Sequence, residues 1–410
     1  MPVVRSGGPS VTGVAPAAPT GRGPTRGEPD ELRTTRTAAW LGAALGVAFG
    51  VCFATGVWSH IAQDPPSWYP PRPAGLYRIT QGLHVITGTA AIPLLVAKLW
   101  VVHRHLFAWP PVSSGLHAVE RLALLPLVGG ATFQLLSGTA NVARWYPWGF
   151  FFPRAHYWVA WITIGALVVH VGAKAAATRD ALRPAWRGAP VAARNDHAPP
   201  PETGPVPRTV AGATDRRAFL AGVATASGAL VVATAGGTVS PLARVSVLAQ
   251  RRPGFGPQGL PVNKTAVGAR VVEAARDPAY RLVVDGAVRR PLSLSVADLL
   301  ARPQRRATLP IACVEGWSAS AEWAGVPVRD LLASAGARDG AGVTVESLQP
   351  SGLYRASEVT PRQVADADTL LAVTVGGEAL ALDHGYPVRL IGPNRPGVAQ
   401  TKWVHRLVVR

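Results

Sequence analysis

Five stretches of the chain stay apolar for as long as a helix needs to cross a bilayer, and the polar residues gather between them. They run from Ala38 to Trp58, Leu76 to Val102, Leu116 to Ala140, His156 to Ala177 and, richer in Ala, Gly and Thr, Ala218 to Val239. About 20 apolar residues at ~1.5 Å each span the hydrocarbon layer, so all five predict transmembrane helices. From residue 261 the pattern shortens. Tyr280 to Val284 and Val288 to Leu292 flank an Asp285-Gly286 turn, which predicts a hairpin. Ser295 caps a short helix to Leu300, Val326 to Ala335 reads as another helix, and Val343 to Leu348 as a strand. Thr374 to Leu380 predicts a hairpin about Gly376-Gly377, while Tyr386 to Ile391 and Trp403 to Val409 alternate as strands do.

The expected protein is multidomain: an all-α transmembrane bundle of four helices plus a fifth anchoring helix, then an α+β, β-rich domain. Residues 1–37 form a disordered cytoplasmic tail, too poor in large apolar residues to offset the cost of ordering and without the apolar core of a signal peptide. The four-helix domain covers 38–177, a cytoplasmic linker 178–217, the fifth helix 218–239, a Pro, Gly and Arg linker 240–260, and the globular domain 261–410.

Charge sets the orientation. The chain is 48% hydrophobic and 16% charged with a net charge of +18, but its arginines are scattered and no basic helix gathers them, which argues against nucleic acid. Five arginines (Arg5, Arg22, Arg26, Arg33, Arg36) lie in the tail and seven in 178–217, against Arg72 alone in 59–75 and two, Arg144 and Arg154, in 141–155. The positive-inside rule then puts the N-terminus in the cytoplasm and everything after residue 240 outside a bacterial cell membrane that the chain crosses several times, in contact with lipid. Trp68, Tyr69, Trp145, Tyr146 and Trp148 suit the membrane interface, or the shielding of a cofactor edge. Thr214-Asp-Arg-Arg-Ala-Phe-Leu220, ahead of the fifth stretch, resembles the twin-arginine export signal; the other reading is two arginines that flank a helix on its cytoplasmic side.

Histidine inside a membrane is costly and marks function. His84 lies in the second stretch, His117 at the start of the third, and His156 and His170 in the fourth. The last two are 14 residues apart, close to four turns, so they share a face at levels ~21 Å apart. The levels pair His84 with His156 on the outer side and His117 with His170 on the inner, as axial pairs for two b haems; His103 and His105 compete for the inner position, and helix-to-helix hydrogen bonds are the bland reading. This spacing resembles the membrane cytochrome b subunits of respiratory formate dehydrogenases and hydrogenases, which implies electron exchange with the quinone pool.

There are two cysteines, and Cys52 lies in the first apolar stretch, so Cys313 is the only thiol after it. It cannot close a disulfide within its domain and is either a small buried hydrophobe or a residue used for its sulfur. Around and after it stand Cys313-Val-Glu-Gly-Trp-Ser318 with Trp323 and Gly325, His384-Gly-Tyr-Pro-Val-Arg-Leu390, and Lys402-Trp-Val. In this order the blocks resemble the molybdopterin-binding domain of the sulfite oxidase family, which includes the bacterial methionine-sulfoxide reductase catalytic subunit. The resemblance implies molybdopterin with molybdenum, Cys313 as metal ligand and catalytic centre, Arg389 and Lys402 on the pterin phosphate, and His384 and Asn263 as further cofactor contacts. Tyr354 is a pocket residue on this reading and core packing on the other; Arg389 and Lys402 taken singly read as a strand-edge charge and a surface charge. The implied activity is oxygen-atom transfer on a small S-oxide, N-oxide or sulfite-like compound, with electrons passing through the haems; the alternative is an inactive membrane-anchored module that captures a ligand or partner.

Overall fold

The structure, a computed structural model, describes residues 32–107, 112, 115–183 and 216–410. The tail to residue 31, most of the 178–217 linker with Thr214 and Asp215 of the twin-arginine stretch, and the side chains of His105 and His117 lie outside the described residues.

Five long helices come first: α1 Thr35–Gln63, α2 Leu76–Leu106, α3 Gly115–Ala143, α4 Phe152–Leu182 and α5 Arg216–Thr234. Thr34 caps α1 by accepting from the Thr37 amide. α1 packs on α2 and α4, α3 packs on α4 and α2, and α5 lies against α2. Pro93 interrupts the α2 ladder, and Ser227 of α5 donates to the nearby Ala90 carbonyl at 3.0 Å. All five are long and apolar enough to cross a membrane. Val47, Leu125 and Val168 are 69%, 74% and 66% exposed, so the outward faces keep bare the kind of side chain that lipid or a larger core would cover.

The C-terminal domain follows in the order α6 Ala266–Ala269, α7 Val272–Arg276, β1 Leu282–Gly286, β2 Leu292–Leu294, α8 Val296–Leu300, β3 Arg305–Ala312, β4 Ser318–Pro327, α9 Val328–Ser334, β5 Val343–Ser347, β6 Ala356–Val359, α10 Pro361–Ala365, β7 Leu370–Val375, β8 Glu378–Ala379, β9 Arg389–Ile391 and β10 Val404–Val409. One sheet runs β2-β1-β10-β5-β6, with β1 and β10 parallel. The other runs β3-β4-β7-β8, and β9 joins it by pairing with β7. Leu282, Leu331, Val345, Leu390 and Leu407 sit in the main apolar core. Ser295 and Asp298 close a capping box at α8, and Thr360 and Gln363 close another at α10.

Four expectations are corrected. Asp285 and Gly286 are not a turn: they stay in β1 opposite Val408 and Val409, because β10 supplies a parallel partner up to that point. Val326 and Pro327 still pair with Leu371 and Leu370, so the helix begins at Val328. Pro387 has no N–H to give a ladder, and only Arg389–Ile391 of the expected strand pairs with β7. α5 gives way at Thr234 to a 3-10 turn over Ala235–Gly237, short of Val239.

The hairpin of β3 and β4, paired in register from Arg305↔Gly325 to Ala312↔Ser318, has no counterpart among the expected elements. Its strands are rich in Ala and Ser and contain Pro310, which is tolerated because β3 is an edge strand. This hairpin carries Cys313 to the end of the bundle where α1 and α3 finish and α2 and α4 begin.

Candidate active site

Residues 313–317 join β3 to β4 in a loop that closes on itself: the Cys313 amide donates to the Trp317 carbonyl at 2.9 Å and the Gly316 amide to the Cys313 carbonyl at 3.0 Å. Gly316 has φ +83°, and a Cβ there would stand 2.9 Å from Val85 Cγ1 of α2, so both backbone and neighbour require glycine. Cys313 is 2% exposed. Burial, and after it the Glu315 carboxylate, push its thiol up to about 12, so without a metal it stays protonated. Arg251 at 2.7 Å and Arg144 at 3.4 Å hold Glu315, and Trp317 Nε1 donates to it at 3.1 Å.

Behind the loop lie His384, Arg389 and Lys402, which are 1%, 2% and 8% exposed. Arg389 is therefore no strand-edge charge and Lys402 no surface charge. Arg389 Nη1 donates to the His384 carbonyl at 3.1 Å, its Nε has no partner, and its guanidinium lies 5.4 Å from the centre of the Trp323 ring. Lys402 Nζ donates to the Lys264 and Asp383 carbonyls at 2.9 and 2.7 Å. No carboxylate among the described residues forms an ion pair with either cation. Burial pulls Arg389 down to about 9, and burial followed by the Arg389 charge holds Lys402 well below the ordinary lysine range. Gly385, at φ +109°, brings the backbones together: a Cβ there would lie 3.1 Å from Lys402 Cα and 3.2 Å from Arg389 Cβ. Two buried cations without a counter-charge, one of them with an orphaned N–H, form a cradle that an anion would complete. A phosphate-bearing pterin fits that requirement.

His384 Nε2 donates to the Pro257 carbonyl at 2.6 Å, and burial pushes the ring down to about 4. Asn263 is half-buried, and its Oδ1 accepts from the Lys264 amide at 2.9 Å; the next carbonyl along is the one that Lys402 reaches. Tyr354 is 37% exposed, not core, and donates to Gln63 Oε1 of α1 at 3.4 Å. Burial raises its phenol. Trp323 is fully buried packing, with Nε1 donating to the Leu309 carbonyl at 3.3 Å.

Several contributors carried no motif. Asn394 is 1% exposed and uses every polar group on the loop before α2 and the first turn of α2: Oδ1 accepts from the Tyr77 amide at 2.8 Å, Nδ2 donates to Pro70 O at 2.6 Å, its amide donates to Ala74 O at 2.9 Å, and its carbonyl accepts from Tyr69 OH at 3.2 Å. Tyr69 is consequently 0% exposed, and its expected place at the membrane interface is corrected. Arg395 holds the loop behind Asn394 through Gln363 Oε1 at 2.6 Å and the Glu358 and Ala399 carbonyls at 2.9 and 2.8 Å. At the rim Arg72 forks onto Asp366 at 2.8 and 2.9 Å and also meets Asp368. The Gly392-Pro-Asn-Arg-Pro396 run that holds Asn394 and Arg395 is rich in turn-forming residues and carries no functional motif.

Inside the bundle is a cavity of about 420 Å³ lined by His84, His156, Cys52, Phe53, Gln134 and Val314 among others, within the ~300–1,000 Å³ of cofactor sites. His84 Nδ1 donates to the Cys52 carbonyl at 2.9 Å. Ser137 Oγ gives its proton to Phe133 O at 2.6 Å and so accepts from His156 Nδ1 at 3.0 Å. Both imidazoles thus carry the proton on Nδ1 and keep an Nε2 lone pair. Their ring centres are 6.2 Å apart. With metal–imidazole bonds of ~2 Å and ~1 Å more from nitrogen to ring centre, two imidazoles across one metal stand ~6 Å apart. No group of three or more His, Cys, Asp or Glu able to hold a metal occurs among the described residues. His170 is half-buried on α4 and does not line this cavity, the His117 side chain lies outside the described residues, and His103 Nδ1 is bonded to Trp100 O at 2.7 Å.

Comparison with known proteins bears on the C-terminal domain. Residues 269–410 match the family model described as "Oxidoreductase molybdopterin binding domain". Sulfite oxidase of Gallus gallus is 35% identical over 166 residues, which is 34% of this chain and 36% of that protein. A nitrate reductase [NADPH] of Phytophthora infestans is 32% identical over 157 residues, 31% of this chain and 17% of that one. Among solved structures, the sulfane dehydrogenase SoxCD of Paracoccus pantotrophus is 32% identical over 32% of this chain and 38% of its own, with a TM-score of 0.30. The chain spans about a third of the length of the first curated relatives it matches. These similarities fall on residues 269–410, which resemble an oxidoreductase molybdopterin-binding domain and the corresponding part of sulfite oxidases.

Proposed function

We propose that the protein is a membrane-bound molybdopterin-dependent oxidoreductase in which an extracytoplasmic C-terminal domain carries out oxygen-atom transfer on a small sulfur oxyanion or S-oxide, and b haems in the helical domain connect it to the quinone pool. The observation that carries this reading is the buried set of Cys313, His384, Arg389 and Lys402 within a domain matched to molybdopterin oxidoreductases.

Molybdenum bound to the pterin would supply the oxo-transfer and redox chemistry. The chain's residues do the rest. Cys313 offers one soft sulfur donor from a loop whose shape Gly316 and two backbone bonds fix. Arg389 and Lys402 hold the phosphate, one as a fork and one as a point charge, and their desolvation strengthens that contact. His384 keeps its proton on Nε2 for Pro257 and contributes a neutral ring. Tyr354, tied to Gln63, forms part of the wall that faces the substrate. In the bundle, His84 and His156 would bind an outer haem through Nε2, with Cys52 O and Ser137 fixing their tautomers. His117 and His170 are proposed for an inner haem.

Two features support the orientation, the arginine distribution and the shared side of loops 59–75 and 141–155 with the C-terminal domain, and the bare apolar helix faces support insertion. Metal analysis and an optical spectrum of the purified full chain test the proposal. Molybdenum and a Soret band are expected; absence of both would turn the protein into a ligand-capturing module on the same scaffold.

A further inference from the structure

The bonds that seat the Cys313 loop on the bundle arise one helical turn from the paired imidazoles. The Val314 carbonyl, the first peptide oxygen after Cys313, accepts from Gln81 Nε2 at 3.3 Å and from Asn141 Nδ2 at 2.9 Å. Gln81 precedes His84 by three residues on α2, so the two share a face with ~4.5 Å of rise between them. Asn141 follows Ser137 by four on α3, ~6 Å along the axis, and Ser137 holds His156. Val314, Gln81 and Asn141 line the same cavity as both histidines.

The two amides are costly where they stand, being 6% and 5% exposed on helices whose residues are mostly apolar. Each is aimed by a bond to its oxygen: Ser59 Oγ donates to Gln81 Oε1 at 3.0 Å and Tyr146 OH to Asn141 Oδ1 at 2.9 Å. Loop closure does not need them, since the Cys313 to Trp317 bonds achieve it alone. What the pair adds is a fixed position of the Val314 main chain between Cys313 and the His84–His156 cavity.

We propose that Gln81 and Asn141 are positioning residues for electron transfer, clamping Val314 as the fixed bridge between the molybdenum ligand Cys313 and the outer haem site. Electrons then cross within the folded chain and no mobile carrier domain is required. The inference rests on the proposed cofactors. In each crossing one electron leaves the molybdenum centre, which is oxidised by one unit, and one ferric haem iron becomes ferrous; no bond forms or breaks along the path.

The test uses the full chain with both cofactors, in the parent, in Gln81→Leu/Asn141→Leu and in the near-isosteric Asn141→Asp. Molybdenum and haem per chain are measured first, and a parent lacking either one overturns the functional reading itself. With both present, flash photoreduction by a deazaflavin is followed at the haem band, and the Mo(V) paramagnetic signal is recorded for relaxation by ferric haem. Equilibration slowed at least tenfold, weaker relaxation enhancement and unchanged reduction of a soluble dye acceptor are expected in the variants. A loaded parent and loaded variants that equilibrate within twofold of one another would overturn the clamp while leaving the functional reading in place. Should the double variant lose its haem, Asn141→Asp decides the question alone by the same measurements.

Discussion

Asn394 offers the sharpest test of how the two halves are joined, because one buried side chain serves two backbone groups of the other half. Replacing it by glycine deletes the acceptor for the Tyr77 amide and the donor for Pro70 O while preserving the left-handed backbone at φ +52°. Each backbone group stranded in a buried contact costs ~1–3 kcal/mol, so the docked state loses about 3 kcal/mol. At ~1.4 kcal/mol per decade, that raises the equilibrium for opening the contact ~100-fold. Asn394→Ala loses the same bonds and places a Cβ residue in the left-handed region, for ~1–2 kcal/mol more. Hydrogen exchange of the peptide covering 70–77, measured by mass spectrometry on the full chain in lipid nanodiscs, reads this directly. Exchange there should accelerate by about two orders of magnitude in Asn394→Gly and further in Asn394→Ala, while β1, β5 and β10 stay protected. Acceleration below threefold in both variants would mean that the Asn394 contacts do not hold the halves together.

Other outcomes follow from the same geometry. Cys313→Ser should abolish turnover with the haem spectrum intact, since the loop closes through main-chain bonds; surviving activity would remove the thiolate role. Arg389→Met should stabilise the cofactor-free protein by ~1–3 kcal/mol, because a buried cation without a counter-charge is lost, and should abolish cofactor retention, measured as melting temperature and as molybdenum per chain. Ser137→Ala frees His156 Nδ1 and should lower haem occupancy or shift its midpoint potential, read by redox titration. His384 is held down to about 4 in the fold. The unfolded chain therefore binds the extra proton below about 6.5, so this part of the stability is complete above that pH and declines as the pH falls to about 4, by ~2–3 kcal/mol. Melting of the cofactor-free protein across this window, compared with His384→Gln, checks it.

The five helices were legible because length and unbroken apolarity are one-dimensional properties. Caps such as Ser295 and the Gly376-Gly377 hairpin were legible for a similar reason, as their chemistry is local. The hairpin bearing Cys313 was not, because Ala, Ser and Pro310 blur the alternation and an edge strand next to an apolar helical bundle need not show a polar face. Arg389 and Lys402 drew attention only as members of ordered blocks; their burial without a counter-ion belongs to the third dimension. Gln81, Asn141 and Asn394 left no trace, and Tyr69 stood out only as an interfacial aromatic, since a polar residue near a helix end or in a Pro-flanked turn has an ordinary explanation until its partner, far along the chain, is known.

X-ray absorption at the molybdenum edge addresses the central claim most directly. In the purified full chain the account predicts molybdenum with sulfur scatterers, one of which disappears in Cys313→Ser. A metal-free chain, or a sulfur count unchanged by that substitution, would contradict it.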